Sequence, residues 1–317
     1  MSRAWWLGAA VLAVGAPPFA SPYVVHVLIL VLFFAFLGVA WNLLGGYAGQ
    51  FSFGHAAYFG IGAYTSTLLL VRGGVSPWIG LWAGGALAAG FGCLAGYLSF
   101  RYGLRGPYFA LVTLAFAEML RLVAVNWTAI GGPMGLLIPL PAGGDSLPRL
   151  QFREKLPYYY LALALLAAAL WLTGRIARSR LGYTLLAIRE NEDAAEASGV
   201  NALAAKLWAM GLSAFLTALG GTFYAQYFSF IDPTLAFGPA VSVEILLRPI
   251  VGGAGTLFGP VLGSLVLTPL SELTRSLIRG RPGVDVMIYG AALMLVVTFL
   301  PGGLVGAWRR VRRTRPA

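Results

Sequence analysis

The chain lacks most of the groups that catalysis, metal binding and disulfide bonding require. Its 317 residues include one cysteine, Cys93, and two histidines, so neither a disulfide framework nor a cysteine-based metal site is expected. The sequence contains no G-x-x-x-x-G-K-[ST] loop, which excludes ATP binding by that route. It also lacks the H-E-x-x-H motif of zinc peptidases and the G-x-S-x-G motif of serine hydrolases. We therefore expect no catalytic residue, no metal site and no cofactor.

Charged residues are also scarce. They make up 10% of the chain, against about 25% in an average soluble domain, while hydrophobic residues make up 59%. No Asp, Glu, Lys or Arg occurs in residues 4–71 or in residues 73–100. Since a helix needs about 20 apolar residues to cross a bilayer, the sequence predicts an all-α integral membrane protein and excludes a soluble core.

Ten transmembrane segments fit this pattern. They are residues 5–20, 23–43, 50–71, 77–99, 107–125, 157–173, 206–228, 239–251, 256–271 and 284–300. Segment 239–251 is short, which leaves open whether it and 256–271 are two full spans or a re-entrant pair.

Glycine-rich breaks occur in both halves of the chain, at residues 45–50 and 252–256, and Phe-Gly follows soon after each. Matching breaks suggest a two-half structural repeat with broken helices near a transport pathway. Close helix packing through small residues explains the same glycines equally well.

The net charge of +11 comes largely from arginines beside the apolar segments. Such arginines follow the positive-inside rule and do not indicate a nucleic-acid partner. With a cytoplasmic N-terminus, strict alternation of the segments puts Arg101, Arg105, residues 175–206 and the C-terminal arginine cluster 309–315 on the cytoplasmic side. The long segment 126–156, rich in Pro and Gly, then lies outside, where it is available to an external partner.

Residues 175–206 carry nine of the charged residues, including Arg189 and Glu190. At the centre of this segment stand Asp193, Ala194 and Ala195, and Gly199 follows four residues after the second alanine. Alanine packs closely, an acidic residue favours a helix N-terminus, and glycine ends a helix. The pattern predicts a short helix that seats in a groove on a soluble partner; an ordinary solvated loop is the alternative.

Several segments together resemble one family. Residues 45–64 read GGYAGQFSFGHAAYFGIGAY, 105–118 read RGPYFALVTLAFAE, 131–135 read GGPMG and 242–263 read SVEILLRPIVGGAGTLFGPVLG. The Asp-Ala-Ala segment resembles the Glu-Ala-Ala-x-x-x-Gly loop of ABC importer permeases. The chain is similar to the permeases of branched-chain amino acid ABC importers, and of their two paired subunits it resembles the M-type. Arg248 is a departure, because the family usually carries an apolar residue there.

This resemblance implies a single permease domain over 1–317, in the inner membrane with both termini cytoplasmic, in which 175–206 is the ATPase-coupling loop. The implied partners are a second homologous permease, two cytoplasmic ATP-binding subunits, a periplasmic or lipid-anchored substrate-binding protein and membrane lipid. Leucine, isoleucine and valine are the family's default substrates, and related permeases carry urea, short amides or other amino acids.

Two other classes of protein remain as alternatives. An ion-coupled secondary transporter would leave the charge-dense segment 175–206 without a role. An integral membrane enzyme would need a convergent set of reactive side chains or metal ligands, which the scattered histidines, cysteine and carboxylates do not supply.

Two carboxylates inside apolar segments, Glu118 and Glu244, are candidates for the translocation pathway, because a charge in a membrane segment is costly. Arg121 and Arg248 follow them by three and four residues. Each carboxylate could therefore equally be a locally paired structural group.

Neutral polar residues form the second group of pathway candidates. They are Asn42, Gln50, Ser52, His55 and Thr113. Hydrogen bonds between helices explain Asn42, Gln50, Ser52 and Thr113 equally well. For His55 a structural hydrogen bond is the stronger expectation, because no second His, Cys or carboxylate lies nearby in the sequence.

Overall fold

In a computed structural model, the described part of the chain comprises residues 17–139 and 145–277, together with residues 15, 290–291, 294 and 303–307. Most of the predicted segments 5–20 and 284–300, and the whole arginine cluster 309–315, lie outside these residues.

The described residues form an almost entirely helical structure. In chain order the helices are α1 (Pro22–Asn42), α2 (His55–Gly73), α3 (Pro77–Arg101), α4 (Gly106–Asn126), α5 (Leu156–Ala177), α6 (Arg180–Glu190), α7 (Glu192–Ala197), α8 (Ala202–Phe228), α9 (Pro233–Ala236), α10 (Pro239–Gly252) and α11 (Gly259–Leu277). Eight of them overlap predicted membrane segments.

Six helical segments among the described residues are long and apolar enough to cross a membrane. They are Pro22–Tyr47, Pro77–Arg101, Gly106–Asn126, Leu156–Ala177, Ala202–Phe228 and Pro233–Gly252. An all-α membrane protein is thus confirmed, but the count of about ten spans is not. The helix α2 is not among these six. The predicted segment 50–71 begins in irregular chain, and the helix itself is rich in small and polar residues.

The centre of the bundle is built from α1 and α8. Side chains on every face of α1 are buried, among them Ile29, Phe36 and Leu37. A helix that is apolar all round belongs in a core, and α1 packs against α5, α8, α10 and α11. In contrast, most apolar side chains of α4 and α5 are at least partly exposed, as in helices that face lipid or another subunit.

The chain leaves regular helical geometry at both glycine-rich stretches. After α1 the chain makes one π-helical turn, Leu43–Tyr47, and then runs irregularly to α2. After α10 an irregular stretch of residues 253–258 precedes α11. With 14 residues, α10 is about 21 Å long, which is less than the roughly 30 Å of a hydrocarbon core. The two-half repeat stays a prediction.

The segment 126–156 contains short 3-10 turns and a two-residue strand, β1 (Leu136–Leu137). This strand pairs antiparallel with β2 (Phe230–Ile231), which follows α8, so that Leu136 faces Ile231. The pairing ties the segment to the end of α8. Its external position stays a prediction.

Candidate functional site

The short helix predicted around Asp193 is present as α7, and local sequence explains both of its ends. The Asn191 side chain accepts a hydrogen bond from the Ala194 N–H at 3.0 Å, which caps the first turn. At the other end Gly199 has φ +85°, a conformation that favours glycine. The N–H groups of Gly199 and Val200 then bond the carbonyls of Glu196 and Ala195, which is a Schellman motif.

The residues of this segment divide between an inner and an outer face. Ala195 is buried against the bundle, whereas Asp193, Ala194 and Gly199 are exposed. On the preceding helix, α6, Leu185 and Ile188 are buried. Glu190, at the end of α6, is exposed together with Tyr183 and Leu186. The outer face therefore presents small and apolar side chains as well as charges, which suits contact with another protein.

Ion pairs hold α7 to the bundle. Lys206 Nζ at the start of α8 lies 2.6 Å from Glu192 Oε1, and both side chains are largely buried. The Lys206 ammonium also lies 4.6 Å from the centre of the Phe100 ring, a cation–π contact. Arg105, just before α4, lies 2.8 Å from Asp193 Oδ1 and 3.6 Å from Glu192 Oε1. Its hydrogen bond to Asp193 raises the pKa of Arg105, so this partner remains charged.

Arg189 connects the charge-dense segment with the two glycine-rich breaks. Its Nη1 donates a hydrogen bond of 2.8 Å to the Gly46 carbonyl in the first break. Asn42, at the end of α1, bridges to the second break: its Nδ2 donates to the Thr256 carbonyl at 2.9 Å, and its Oδ1 accepts from the Gly255 N–H at 2.8 Å. We call these five residues the junction.

The junction has no room for side chains at its glycines. A Cβ atom on Gly46 would lie 1.9 Å from Asn42 Oδ1 and 2.5 Å from the Gly255 nitrogen. A Cβ atom on Gly255 would lie 2.2 Å from Arg189 Nη1. Glycine is thus required here because two stretches of backbone approach each other closely.

The other neutral pathway candidates lie near the first break and bond to protein groups. Gln50 Nε2 donates to the Ala48 carbonyl at 3.2 Å, and Ser52 Oγ accepts from the Gly54 N–H at 3.1 Å. Thr113 Oγ1 accepts from the Phe53 N–H at 3.1 Å. These contacts fit the structural alternative, and the assignment of the residues to a translocation pathway stays a prediction.

His55 begins α2 and is fully buried. Its Nε2 lies 2.8 Å from Ser213 Oγ, which itself donates to the Ala40 carbonyl at 2.7 Å. Since the serine proton is used in that bond, His55 donates from Nε2. The histidine thereby links α1, α2 and α8 through hydrogen bonds, and its assignment to a translocation pathway stays a prediction.

Glu118 and Glu244 lie in different places and each meets the arginine expected from its spacing. Glu118 Oε2 accepts from Arg121 Nε at 2.9 Å, and this pair lines a groove with Leu114, Thr234 and Pro239. Glu244 Oε2 lies 3.6 Å from Arg248 Nη2. The seven pathway candidates thus form one cluster beside the first break and two separate carboxylate sites.

The second carboxylate site lies in a cavity of about 340 Å³ among α1, α2, α8, α10 and α11. Arg248 is buried, donates to the Glu244 carbonyl, and places its guanidinium carbon 3.9 Å from the centre of the Phe34 ring. The sequence marked Arg248 as unusual but gave it no functional role. The feature of the sequence that could have indicated a role for Arg248 is its charge, at a position where a membrane helix normally has none.

A family model described as "Branched-chain amino acid transport system / permease component" matches residues 23–297. The chain belongs to this family. It is 31% identical to the high-affinity branched-chain amino acid transport system permease protein LivM of Escherichia coli strain K12, over 93% of this chain and 73% of that protein. Its identity to LivM of Salmonella typhimurium is 30% over the same shares.

More distant relatives carry a different substrate in their names. The autoinducer 2 import system permease protein LsrC of Yersinia pseudotuberculosis is 28% identical, over 68% of this chain and 64% of that protein. No solved structure matches. The chain is therefore a multi-pass inner-membrane permease subunit of an ABC importer, a family that works with ATP-binding and substrate-binding partners.

Proposed function

We propose that the chain is the M-type permease subunit of an ATP-driven importer for leucine, isoleucine and valine. The complex contains a second homologous permease, two cytoplasmic ATP-binding subunits and a periplasmic or lipid-anchored substrate-binding protein. ATP is hydrolysed by the partner subunits. The similarity to both LivM proteins over most of the chain supports the substrate, and LsrC supports other small solutes as the second candidate.

In this proposal residues 175–206 are the ATPase-coupling loop, on the cytoplasmic side with both termini. The exposed Asp193, Ala194 and Gly199 belong to the face that contacts the ATPase, while the buried Ala195 fixes α7 on the bundle. Arg189 and Glu190 end α6 beside this face.

The observation that carries the coupling mechanism is the bond from Arg189 to Gly46. When the ATPase moves α6 and α7, Arg189 carries that motion to the first glycine-rich break. Asn42 passes it to the second break through its bonds to Gly255 and Thr256. Alternating access then follows as α1 and α10 move with the junction.

The test is a tagged pull-down from native membranes in mild detergent, with bound proteins identified by mass. Wild type is compared with Ala194→Arg and Gly199→Arg. Ala194→Arg adds a bulky side chain to the exposed face, and Gly199→Arg forces a left-handed conformation that costs roughly 1–2 kcal/mol. The control is Glu154→Arg, which also adds an exposed arginine, but in the segment assigned to the opposite side of the membrane.

We expect wild type and Glu154→Arg to recover an ATPase with a G-x-x-x-x-G-K-[ST] loop and a second permease. Both loop variants should insert normally, lose the ATPase and lose uptake. If Ala194→Arg retains its ATPase, the proposed docking face is wrong. A protein that has no partners and still supports uptake would instead be a secondary transporter.

A further inference from the structure

The cavity beside Glu244 has the size and the lining of a small-ligand site. Its volume of about 340 Å³ falls at the lower end of the roughly 300–1,000 Å³ that is usual for such sites. Aromatic and aliphatic side chains form most of the lining, including Phe33, Phe59 and Tyr224. Glu244, Arg248, Thr268 and Glu272 add polar and charged groups.

The Glu244 carboxylate and the Arg248 guanidinium lie side by side without a close contact between their charged atoms. Their closest N···O distance is 3.6 Å, whereas a charge-assisted hydrogen bond is about 2.7–2.9 Å long. The Arg248 side chain is only 2% exposed, while that of Glu244 is 36% exposed. The Glu244 carbonyl and the Phe34 ring also contact the buried guanidinium, so the Glu244 carboxylate is not its sole support.

We propose that this cavity binds the substrate directly as an α-amino acid with an apolar side chain. The Arg248 guanidinium contacts the carboxylate of the ligand, and the Glu244 carboxylate contacts its ammonium group. This inference rests on the proposed function and specifies where the permease holds its substrate.

The opposite charges of Arg248 and Glu244 match the two charges of a zwitterion. A carboxylate matches the fork of donors on a guanidinium, and an ammonium group next to it matches Glu244. A zwitterionic ligand would bring each of its charges next to an opposite charge, and it adds no net charge to the apolar interior. Its aliphatic side chain loses contact with water against Phe33, Phe59 and Tyr224.

The position of the cavity connects it to the junction. On α1 the lining runs from His26 to Leu37, a length of about 16 Å, and Asn42 follows about 8 Å further along the helix. On α10, Arg248 precedes the second break by four residues. The helices that end at the junction therefore also form walls of the cavity, and movement of the junction changes the shape of the site.

The experiment measures binding of tritiated leucine to the purified full complex, in nanodiscs and without the substrate-binding protein. Isocaproate lacks the ammonium group of leucine, and isoamylamine lacks its carboxylate. For wild type we expect saturable leucine binding, with both analogues competing at least about tenfold more weakly, since each loses charge-assisted hydrogen bonds.

Two variants remove one charge each. Glu244→Gln and Arg248→Met should each weaken leucine binding about tenfold or more. Glu244→Gln should also abolish the preference for leucine over isocaproate, and Arg248→Met the preference over isoamylamine. Loss of a different preference in each variant is not expected if the two residues only support the fold. If neither variant changes affinity or selectivity, or if isoamylamine competes as well as leucine with wild type, the proposed site is wrong.

A pair of cavity-filling variants tests the site independently, in case Arg248→Met does not fold. Ala240→Phe fills the proposed cavity and leaves both charges in place. Ala89→Phe makes the same change in an apolar cavity lined by Cys93, Trp208 and Phe215. We expect Ala240→Phe to abolish leucine binding and Ala89→Phe to leave it unchanged; normal binding by Ala240→Phe would overturn the proposal.

Uptake by the reconstituted wild-type importer separates this inference from the proposed function. ATP-dependent leucine uptake without saturable binding to the permease complex overturns the site alone. If ATP-dependent uptake of leucine, isoleucine and valine is absent, the proposed substrate is wrong, and the pull-down decides independently whether the chain couples to an ATPase.

Discussion

The junction and the cavity lie along the same two helices but differ in how their polar groups are arranged. At the junction, Arg189 and Asn42 make direct hydrogen bonds of 2.8–2.9 Å to the backbone of both breaks. In the cavity, the closest approach of the Glu244 and Arg248 side chains is 3.6 Å, beside about 340 Å³ of open space. A closed polar network moves as one unit, whereas a loose pair can exchange partners. One end of α1 and α10 therefore suits the transmission of motion, and the other end suits the binding of a ligand.

Gly46→Ala is the strongest test of the closed junction. The new methyl group collides with Asn42 and with the Gly255 nitrogen. Overpacking costs about 1–3 kcal/mol and loss of the Asn42 bonds about 1 kcal/mol each. We expect the free energy of unfolding in mixed micelles to fall by roughly 3 kcal/mol or more, and uptake to be lost.

Gly90→Ala is the matched control for this change. A Cβ atom on Gly90, within α3, meets no atom within 4 Å. Alanine in a helix interior is favoured over glycine by about 0.5–1 kcal/mol, so stability should hold or rise slightly. If Gly46→Ala and Gly90→Ala have the same free energy of unfolding and the same uptake, the two glycine-rich breaks do not approach each other closely.

Lys206→Met tests a tight ion pair that contrasts with the one in the cavity. The substitution leaves Glu192 largely buried, and among the described residues the more distant Arg105 is the cation that still lies near it. We expect a loss of about 2–3 kcal/mol in the free energy of unfolding, in the range for hydrogen bonds to charged groups. The double variant Lys206→Met/Glu192→Gln should recover most of it. If Lys206→Met alone lowers the free energy of unfolding by less than about 0.5 kcal/mol, the Lys206–Glu192 pair contributes no more than an exposed surface ion pair.

Arg189→Met should separate stability from coupling. Loss of one hydrogen bond to Gly46 costs about 1–2 kcal/mol, while the exposed face of α7 is unchanged. We expect the ATPase to remain bound and ATP hydrolysis to continue, with fewer molecules taken up per ATP hydrolysed. Arg180→Met, on the same helix and also exposed, should transport normally. If both variants transport alike, Arg189 does not carry the motion.

Glu244→Gln should have the smallest effect on the ligand-free protein. Its carboxylate is partly exposed and lies 3.6 Å from Arg248, and Arg248 keeps its backbone acceptor and the Phe34 ring. We expect a change of about 1 kcal/mol or less in the free energy of unfolding. A loss as large as that of Lys206→Met would mean that the cavity pair is closed in the same way as the pair at α7.

Local sequence signals predicted the parts of the site that depend on neighbouring residues. The helix α7 was predictable from Asp193 and Gly199, because capping groups lie within a few residues of the helix ends. The ion pair of Glu118 with Arg121 followed from helical spacing. The number of spans did not follow, because an apolar run such as 50–71 does not show where the chain leaves the helix.

Contacts between distant residues could not be predicted. Arg189 stands 143 residues from Gly46, and on its own helix it is an ordinary exposed arginine. Asp193 meets Arg105 across 88 residues; their shared side of the membrane was predictable, but the pairing was not. The structural repeat would have placed the two glycine-rich breaks in related positions without requiring that they touch.

The amino-acid sequence by itself determined that this chain enters a membrane, that it resembles a permease of one importer family, and that a short capped helix interrupts its apolar segments. These properties depend on composition and on interactions over a few residues. Only the tertiary structure decided that Arg189 and Asn42 join the two breaks, and that Arg248 faces a cavity with Glu244. Both depend on how α1, α8, α10 and α11 pack, and packing brings together residues whose separation along the chain carries no information about their distance in space.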